Sequence, residues 1–182
     1  MSRTVLVSGG AGYIGSHICK ALAEAGATPI TYDILENGHD WAVRWGPLER
    51  GDIGDGARLG EVFSRHRPHA VIHLAGYIEV GESMKQPERY MHNNAARSKV
   101  LVEAALQHGV EAFVFSSTCA VYGVPQTELL SETHRIAPMN PYAESKARVE
   151  AILGGEADRG LRAASLRYFN AAGADPGGVE VA

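Results

Sequence analysis

The sequence predicts an α/β fold in which helices cover a doubly wound parallel sheet. Short apolar segments alternate with helical patterns along the chain, and the first apolar segment leads directly into a glycine-rich turn. The segment at residues 70–74 is nearly all apolar, which is typical of a parallel strand covered on both faces. With 182 residues, the chain can bury one substantial core but is short for two full domains.

The first predicted unit is a strand at residues 5–7, a turn containing Gly9, Gly12 and Gly15, and a helix. Glycines in this pattern let the chain turn sharply, let backbone approach a diphosphate and let the helix pack on the strand. The free N–H groups and positive dipole end of the helix would face that diphosphate. A glycine triplet alone also occurs in turns that serve only packing.

The second predicted strand, at residues 28–32, ends at Asp33. An acidic residue about 20 positions beyond the glycine turn is typical of adenosine-ribose binding. Its carboxylate would accept hydrogen bonds from both ribose hydroxyls and repel a 2′-phosphate, which favours NAD over NADP. The alternative is an ordinary turn residue at a strand end.

The remaining elements follow in alternation up to residue 172, which we predict to be one dinucleotide-binding domain. Residues 34–45 are irregular, and residues 173–182 lack periodicity, so we expect this tail to leave the core or be disordered. The predicted elements are a strand at 47–50, a helix capped by Asp55 and ended by Pro68, a strand at 70–74, a helix at 88–108 opened by Pro87, a strand at 112–115, a helix at 142–159 and a strand at 162–168.

A second group of candidate residues comprises Thr118, Tyr142 and Lys146. Tyr142 and Lys146 are four residues apart on a predicted helix, so they share one face. An ammonium beside a phenol favours the phenolate, and we expect it to lower the tyrosine pKa toward that of a general base. Thr118 follows the strand at 112–115, and would lie at the sheet edge where open α/β sheets bind ligands. The alternative is a solvated pair of surface neighbours.

Composition excludes several classes of partner. Hydrophobic residues make up 45% and charged residues 21%, with a net charge of −4, so nothing suggests nucleic acid or an anionic membrane as a partner.

No apolar run approaches the roughly 20 residues that span a bilayer, and the N-terminus is a strand rather than a signal peptide. Two cysteines, Cys19 and Cys119, fit a reducing cytoplasm without disulfides.

Three histidines, at positions 66, 69 and 73, lie close together in the sequence. Pro68 separates the first two, and His73 lies in a buried strand pattern, so we predict no metal site.

The glycine turn, Thr118 and the pair Tyr142 and Lys146 together resemble the extended short-chain dehydrogenase/reductase family. Further segments narrow the resemblance to its UDP-glucose 4-epimerases, including bacterial ones linked to exopolysaccharide synthesis. These segments lie at residues 10–17, 51–53, 80–83, 115–118, 121–123, 140–142 and 166–173.

The resemblance implies NAD as a retained cofactor and a UDP-hexose as substrate. Tyr142, sharing a proton with Thr118, would deprotonate the sugar 4-hydroxyl while hydride leaves C4 for NAD⁺. The 4-keto sugar would rotate and take hydride back on its other face. Asn170, with Thr118 and Tyr142, would contact the nucleotide-sugar. Cofactor contacts are implied for Gly9, Gly12, Tyr13, Ile14, Gly15, Asp33, Asp52, Ile53, Leu74, Ala75, Gly76, Asn94, Lys146 and Phe169. The helices at 88–108 and 142–159 would pack across a homodimer as well as on their own sheet.

The chain departs from that family pattern at three points. Ile78 stands where many epimerases have a lysine that contacts the cofactor, and position 118 is threonine rather than serine. Family members also continue well beyond the last residue here, so we expect a shortened epimerase that lacks most of the small substrate domain. The alternatives are a non-catalytic NAD-binding module, or another nucleotide-sugar epimerase or dehydratase. A 4,6-dehydratase normally has an acidic pair where Cys119 and Ala120 follow Thr118.

Overall fold

The chain begins with a buried strand, β1 (Thr4–Ser8), that enters the glycine turn and then helix α1 (Tyr13–Glu24). The structure, a computed structural model, describes residues 3–175. Gly9 has a φ of +74°, a left-handed conformation that a side chain disfavours. Gly12 is the N-cap residue of α1 and supplies no side-chain cap, so the first-turn N–H groups receive no acceptor from the N-cap side chain.

The predicted strands are all present, and α-helices lie between all consecutive strands except the second and third, which only a 3₁₀ turn separates. The elements after α1 are β2 (Thr28–Asp33), β3 (Leu48–Arg50), α2 (Gly56–His66), β4 (Ala70–His73), α3 (Val80–Lys85), α4 (Pro87–Tyr90), α5 (Arg97–Gln107), β5 (Ala112–Ser116), α6 (Pro141–Gly155) and β6 (Arg162–Leu166). A π-helical turn, Met91–Ala96, joins α4 to α5, and short 3₁₀ turns lie at Asp40–Ala42, Cys119–Tyr122 and Ala157–Arg159.

The six strands form one parallel sheet in the order β3-β2-β1-β4-β5-β6. This confirms the predicted doubly wound α/β class. The order reverses between β1 and β4, where Ser8 pairs with His73. Ligands of open α/β sheets bind in the crevice beyond the strand ends at such a reversal.

The two faces of β1 contribute to two separate apolar clusters. Leu6 packs in the larger cluster, with side chains of α2, α5 and α6, and is fully buried. Val5 and Val7 point to the other face and pack with Cys19 of α1. Burial of apolar side chains on both faces is what holds a parallel strand at the centre of a sheet.

The structure differs from the predicted helices in three places. Helix α3 lies in a segment that had no predicted element, because six residues are too few for a clear helical period. The predicted helix at 88–108 begins at Pro87 and contains the π-helical turn. Helix α6 ends at Gly155 rather than near residue 159, since a glycine pair weakens a helix interior.

The first residues of the tail, 173–175, lie against α1. The Tyr13 hydroxyl donates to the Gly173 carbonyl oxygen at 2.7 Å, and Lys20 of α1 forms an ion pair with the buried Asp175. These two side chains of α1 hold residues 173–175 against the helix. The expectation for residues 176–182 falls outside the described part of the chain. Within residues 3–175, no helix has both the length and the apolar character needed to cross a bilayer.

Candidate active site

The three glycines of the first turn have different roles. A Cβ at Gly9 would lie 2.7 Å from the Ala75 amide nitrogen, and one at Gly15 would lie 2.1 Å from the Gly9 carbonyl oxygen. A side chain at either position would therefore collide with backbone, so both positions need glycine. A Cβ at Gly12 would meet only the Gly9 oxygen, at 3.5 Å. Packing does not require glycine there, whereas close approach of a diphosphate does.

A cleft of about 560 Å³ opens beside Gly12 at the carboxyl ends of β1 to β4. Nine of the residues predicted to contact a cofactor line it, and they come from four separate loops. These residues are Gly9, Gly12, Tyr13, Asp33, Asp52, Ile53, Leu74, Ala75 and Gly76. The volume lies within the range of small-molecule and cofactor sites.

Asp33 is fixed at the end of β2 by two backbone groups. Its Oδ2 accepts from the Ala11 N–H at 3.1 Å, and its Oδ1 accepts from the Leu35 N–H at 2.8 Å. Each carboxylate oxygen can accept a further hydrogen bond. The carboxylate is thus oriented in the cleft with acceptor capacity left for a pair of ribose hydroxyls.

Asp52 is held in a comparable way on the next loop. Its Oδ1 accepts from the Gly54 N–H at 2.8 Å, and its Oδ2 lies 3.1 Å from Nη1 of Arg97. The Tyr32 hydroxyl donates to the Asp52 carbonyl oxygen at 2.9 Å. Ile53 packs its side chain into the larger apolar cluster, so this segment is a rigid wall of the cleft.

Asn94 lies behind the cleft wall rather than in it. The side chain is 2% exposed. Its Oδ1 accepts from the Tyr77 N–H at 2.8 Å, and its Nδ2 donates to the Tyr77 carbonyl oxygen at 2.9 Å and to Ser145 Oγ at 3.2 Å. Asn94 therefore fastens the loop after β4 to helix α6, which carries Tyr142 and Lys146.

Lys146 lies at the inner end of this loop. A Cβ at Gly76 would be 3.7 Å from Lys146 Nζ, which places the ammonium beside the cleft. Nζ donates to the Ser116 carbonyl oxygen at 3.0 Å and lies 5.0 Å from the Phe115 ring centroid. Burial lowers the pKa of Lys146 to about 8, because the charged form loses its hydration.

Tyr142 and Thr118 lie together, as predicted. Lys146 Nζ is 5.9 Å from the Tyr142 ring centroid. Burial raises the pKa of Tyr142, and its hydrogen bond with Thr118 acts in the lowering direction. The expected lowering of the Tyr142 pKa by the ammonium is therefore not found. The sequence spacing predicted proximity correctly but could not predict that the phenol is desolvated.

Thr118 is itself fastened by a polar network beyond β5. Its hydroxyl caps the following 3₁₀ turn by accepting from the Ala120 N–H at 3.2 Å. The preceding Ser117 donates to the Glu150 carboxylate of α6. Arg167 bonds the same carboxylate, with Nη2 at 2.6 Å from Oε2, and donates to the Tyr122 hydroxyl at 3.0 Å. This network fixes the segment that carries Thr118 relative to α6.

Four other predicted residues lie apart from the cleft walls. Ile14 and Gly15 are in the first turn of α1, behind Gly12 and Tyr13. Phe169 is 70% exposed, and Asn170 is exposed. Both follow β6, and neither is among the residues that line the cleft. Their predicted contacts with cofactor and sugar stay predictions.

Sequence reasoning missed several charged and aromatic side chains of the cleft. They come from the irregular segment after β2, the loop after β4, helices α3 and α4, the π-helical turn and the first residue of α5. None of these side chains follows a binding pattern that the sequence made recognisable. They are Glu36, Tyr77, Glu79, Glu82, Arg89, Tyr90, Asn93 and Arg97.

The three clustered histidines have separate environments. His66 bonds the Glu49 carboxylate at 2.6 Å. His73 is fully buried between the hydroxyls of Ser8 and Ser98, both at 2.7 Å. Burial, with a smaller contribution from the Lys146 charge, lowers the pKa of His73 to about 3. Within residues 3–175, no three His, Cys, Asp or Glu side chains form a group that could hold a metal ion.

Known proteins that are similar to this chain include UDP-glucose 4-epimerases of two Rhizobium species and of Brucella ovis. The chain is 55% identical over 174 residues to a UDP-glucose 4-epimerase of Rhizobium leguminosarum bv. trifolii, covering 95% of this chain and 53% of that protein. It is 52% identical to the enzyme of Rhizobium meliloti, covering 96% and 53% respectively. The crystal structure of Brucella ovis UDP-glucose 4-epimerase in complex with NAD superposes with a TM-score of 0.94 at 46% identity, covering 96% of this chain and 54% of that one.

The chain thus spans about half the length of the curated relatives that it matches. A family model matches residues 5–180, which is nearly the whole sequence. The glycine turn, Asp33 and the pair Tyr142 and Lys146 all lie within that match. Together with the doubly wound sheet, this shows that the chain belongs to the NAD dependent epimerase/dehydratase family.

Proposed function

We propose that the chain binds NAD in the cleft and serves the interconversion of UDP-glucose and UDP-galactose at C4. The observation that carries the proposal is the Thr118, Tyr142 and Lys146 cluster, which lies beside a cleft lined by Gly12 and Asp33. The names of the relatives support the same reaction.

The reaction would pass through a 4-keto sugar. When bound, NAD supplies the group that accepts hydride from C4 and returns it to the other face. Tyr142 is the general base that removes the proton of the 4-hydroxyl and later gives it back. The Thr118 hydroxyl hydrogen-bonds the phenol oxygen and opposes the rise in the Tyr142 pKa that burial causes, so it stabilises the phenolate as the proton is transferred.

Lys146 provides the positive charge that the phenolate needs. Its pKa of about 8 keeps the ammonium mostly protonated at neutral pH. The ammonium acts at short range in a desolvated region, where charge interactions are stronger than in water. Because burial raises the Tyr142 pKa, removing this charge would leave the neutral phenol strongly favoured.

The substrate side of the proposal rests on the family resemblance. Asn170 would contact the nucleotide-sugar and Phe169 would pack near the nicotinamide, although both side chains are exposed. A homodimer through the helical segments at 88–108 and 142–159 and a cytoplasmic location complete the proposal. The family resemblance supports the dimer, and the free thiols of Cys19 and Cys119 suit a reducing compartment.

The test is turnover of UDP-galactose by the 182-residue chain supplied with NAD⁺, beside its Tyr142→Phe variant. We expect the variant to lose at least about 100-fold in rate, because it lacks the general base. NAD binding by both proteins, measured by calorimetry, shows that the variant keeps its cleft. Equal rates for the two proteins would overturn the assignment of Tyr142.

A non-catalytic NAD-binding module is the second candidate. The exposed side chains of Phe169 and Asn170 favour it, because remote contacts position the reacting carbon of a substrate. It predicts that the unmodified chain binds NAD normally and converts no UDP-galactose at any enzyme concentration. Measurable turnover that Tyr142→Phe abolishes would contradict it.

A further inference from the structure

A cluster of charged and aromatic side chains crosses the mouth of the cleft. Arg89 of α4 stacks on the Tyr77 ring, with its guanidinium carbon 4.4 Å from the ring centroid. Its Nη1 lies 2.6 Å from Glu82 Oε1, and its Nη2 lies 4.0 Å from Glu36 Oε1. The Tyr77 hydroxyl also contacts Glu36, at 3.3 Å. The cluster thus joins the loops after β2 and β4 across the cleft.

The charges of the cleft are unfavourable for an anionic ligand. The lining has five carboxylates, which are those of Asp33, Glu36, Asp52, Glu79 and Glu82. Arg89 and Arg97 are the basic residues among the described lining residues. A diphosphate would therefore enter a region of net negative charge, where the N-terminus of α1 contributes only a partial positive charge.

The two arginines are not equally available. Arg97 is bound to Asp52 at 3.1 Å and to Asn93 Oδ1 at 3.0 Å, so two partners hold its Nη1. Arg89 is 41% exposed and lies 4.0 Å from Glu36, which is longer than a hydrogen bond. Glu36 is itself 47% exposed on the loop after β2, so exchanging this contact for a phosphate costs little.

We propose that Arg89 binds the diphosphate of the dinucleotide in this cleft, replacing its long contact with Glu36 by a phosphate oxygen and keeping its contact with Glu82. The guanidinium presents several N–H donors in one plane, which suits phosphate oxygens. Tyr77 and Glu82 hold that plane in position. Ile78, on the same loop, is apolar and 66% exposed, so it offers no competing cation. The inference rests on the proposed cofactor of the cleft.

The experiment is calorimetric titration of the 182-residue chain with ADP-ribose, adenosine and UDP. For Arg89→Met we expect ADP-ribose to bind about tenfold or more weakly, because a charge-assisted hydrogen bond is lost. Adenosine affinity should change less than twofold, and the salt dependence of ADP-ribose binding should weaken. Arg89→Lys should recover part of the loss. Arg135→Met, on the exposed segment before α6, is the matched control and should match the unmodified chain.

A second variant separates phosphate binding from support of the loop. Glu36→Gln removes the competing carboxylate, so ADP-ribose should bind more tightly, and this gain should shrink in an Arg89→Met background. Equal losses for adenosine and ADP-ribose in Arg89→Met would overturn the proposal, as would a loss confined to UDP. Failure of the unmodified chain to bind ADP-ribose would overturn the proposed cofactor itself, which is a distinguishable result.

Discussion

The cleft end of the sheet and its β6 edge are built very differently. At the cleft end, Leu6, Val7 and Tyr32 are fully buried, and the glycine turn packs against the loop after β4. At the opposite edge, four of the five residues of β6 are exposed. Phe169, just beyond β6, is 70% exposed. The two ends belong to the same sheet but differ in how completely their side chains are packed.

The difference separates two parts of the proposed function. The groups that would hold the dinucleotide are packed, hydrogen-bonded and oriented within the described residues. Phe169 and Asn170, assigned to the nicotinamide and to the nucleotide-sugar, are exposed in the segment after β6. Cofactor binding should therefore tolerate changes near β6 and be sensitive to small changes at the glycine turn.

The largest effect is expected for Gly15→Ala. The new Cβ would lie 2.1 Å from the Gly9 carbonyl oxygen, so backbone must move to accommodate it. We expect the free energy of unfolding to fall by about 3 kcal/mol, near the upper end for overpacking. Urea denaturation followed by circular dichroism measures this. A change below about 0.5 kcal/mol, typical of surface sites, would show that the turn is looser than described.

The next effect concerns acid stability and His73. Its folded pKa of about 3 lies below the ordinary value of about 6.5, so the unfolded chain binds the extra proton between these values. Stability from this group is therefore full above pH 6.5 and is lost as pH falls toward 3. When the pH falls from 7 to 4.5, the free energy of unfolding of His73→Gln should decrease by about 2–3 kcal/mol less than that of the unmodified chain.

The control for His73 is His108→Gln, since His108 is exposed on the end of α5. Denaturant titrations at several pH values give the slope of the free energy of unfolding against pH for each protein. Equal slopes for His73→Gln and the unmodified chain would contradict a neutral, buried His73. If only the His108→Gln variant had a smaller slope, the loss of stability in acid would come from a surface group and not from His73.

Gly12→Ala tests whether the second glycine of the turn is needed for ligand binding and not for packing. The added Cβ meets only the Gly9 oxygen, at an ordinary distance of 3.5 Å. Stability should therefore change by about 1 kcal/mol or less, the usual cost of an alanine N-cap. NAD affinity should fall about tenfold or more, because the Cβ occupies space that the diphosphate needs. Calorimetry and denaturation of the same sample distinguish a lost site from a lost fold.

The smallest effect is expected for Phe169→Ala, at the exposed edge. With 70% of the residue exposed, truncation removes little buried surface, so the free energy of unfolding should change by less than about 0.5 kcal/mol. NAD affinity should fall by less than about twofold, because a ring that packs near the nicotinamide while it stays exposed loses few contacts. A loss comparable to that in Gly12→Ala would show that Phe169 contributes as much to cofactor binding as the glycine turn, and would remove the contrast between the two ends.

The sequence predicted the cleft end well because its signals are local. Glycine spacing requires a tight turn, alternation of apolar segments with helical periods specifies the sheet, and Asp33 follows its strand directly. The i, i+4 spacing also placed Lys146 near Tyr142 correctly. These inferences need only the backbone and the order of elements.

Properties that depend on distant packing could not be predicted in this way. Burial of Tyr142, which raises its pKa, results from segments far apart in the sequence. The same holds for Asn94, which bonds Tyr77 and Ser145 instead of lining the cleft. Arg89 lies within the predicted helix at 88–108, but its position at the cleft depends on how α3 and α4 pack after β4.

The most direct test of the account is the affinity of the 182-residue chain for NAD⁺ and NADP⁺, measured by calorimetry beside Asp33→Asn. The Asp33 carboxylate, held by the N–H groups of Ala11 and Leu35, would repel a 2′-phosphate and accept from the ribose hydroxyls. We predict tighter binding of NAD⁺ and a reduced preference in the variant. Equal or reversed preference in the unmodified chain would contradict the assignment of the cleft as an NAD site.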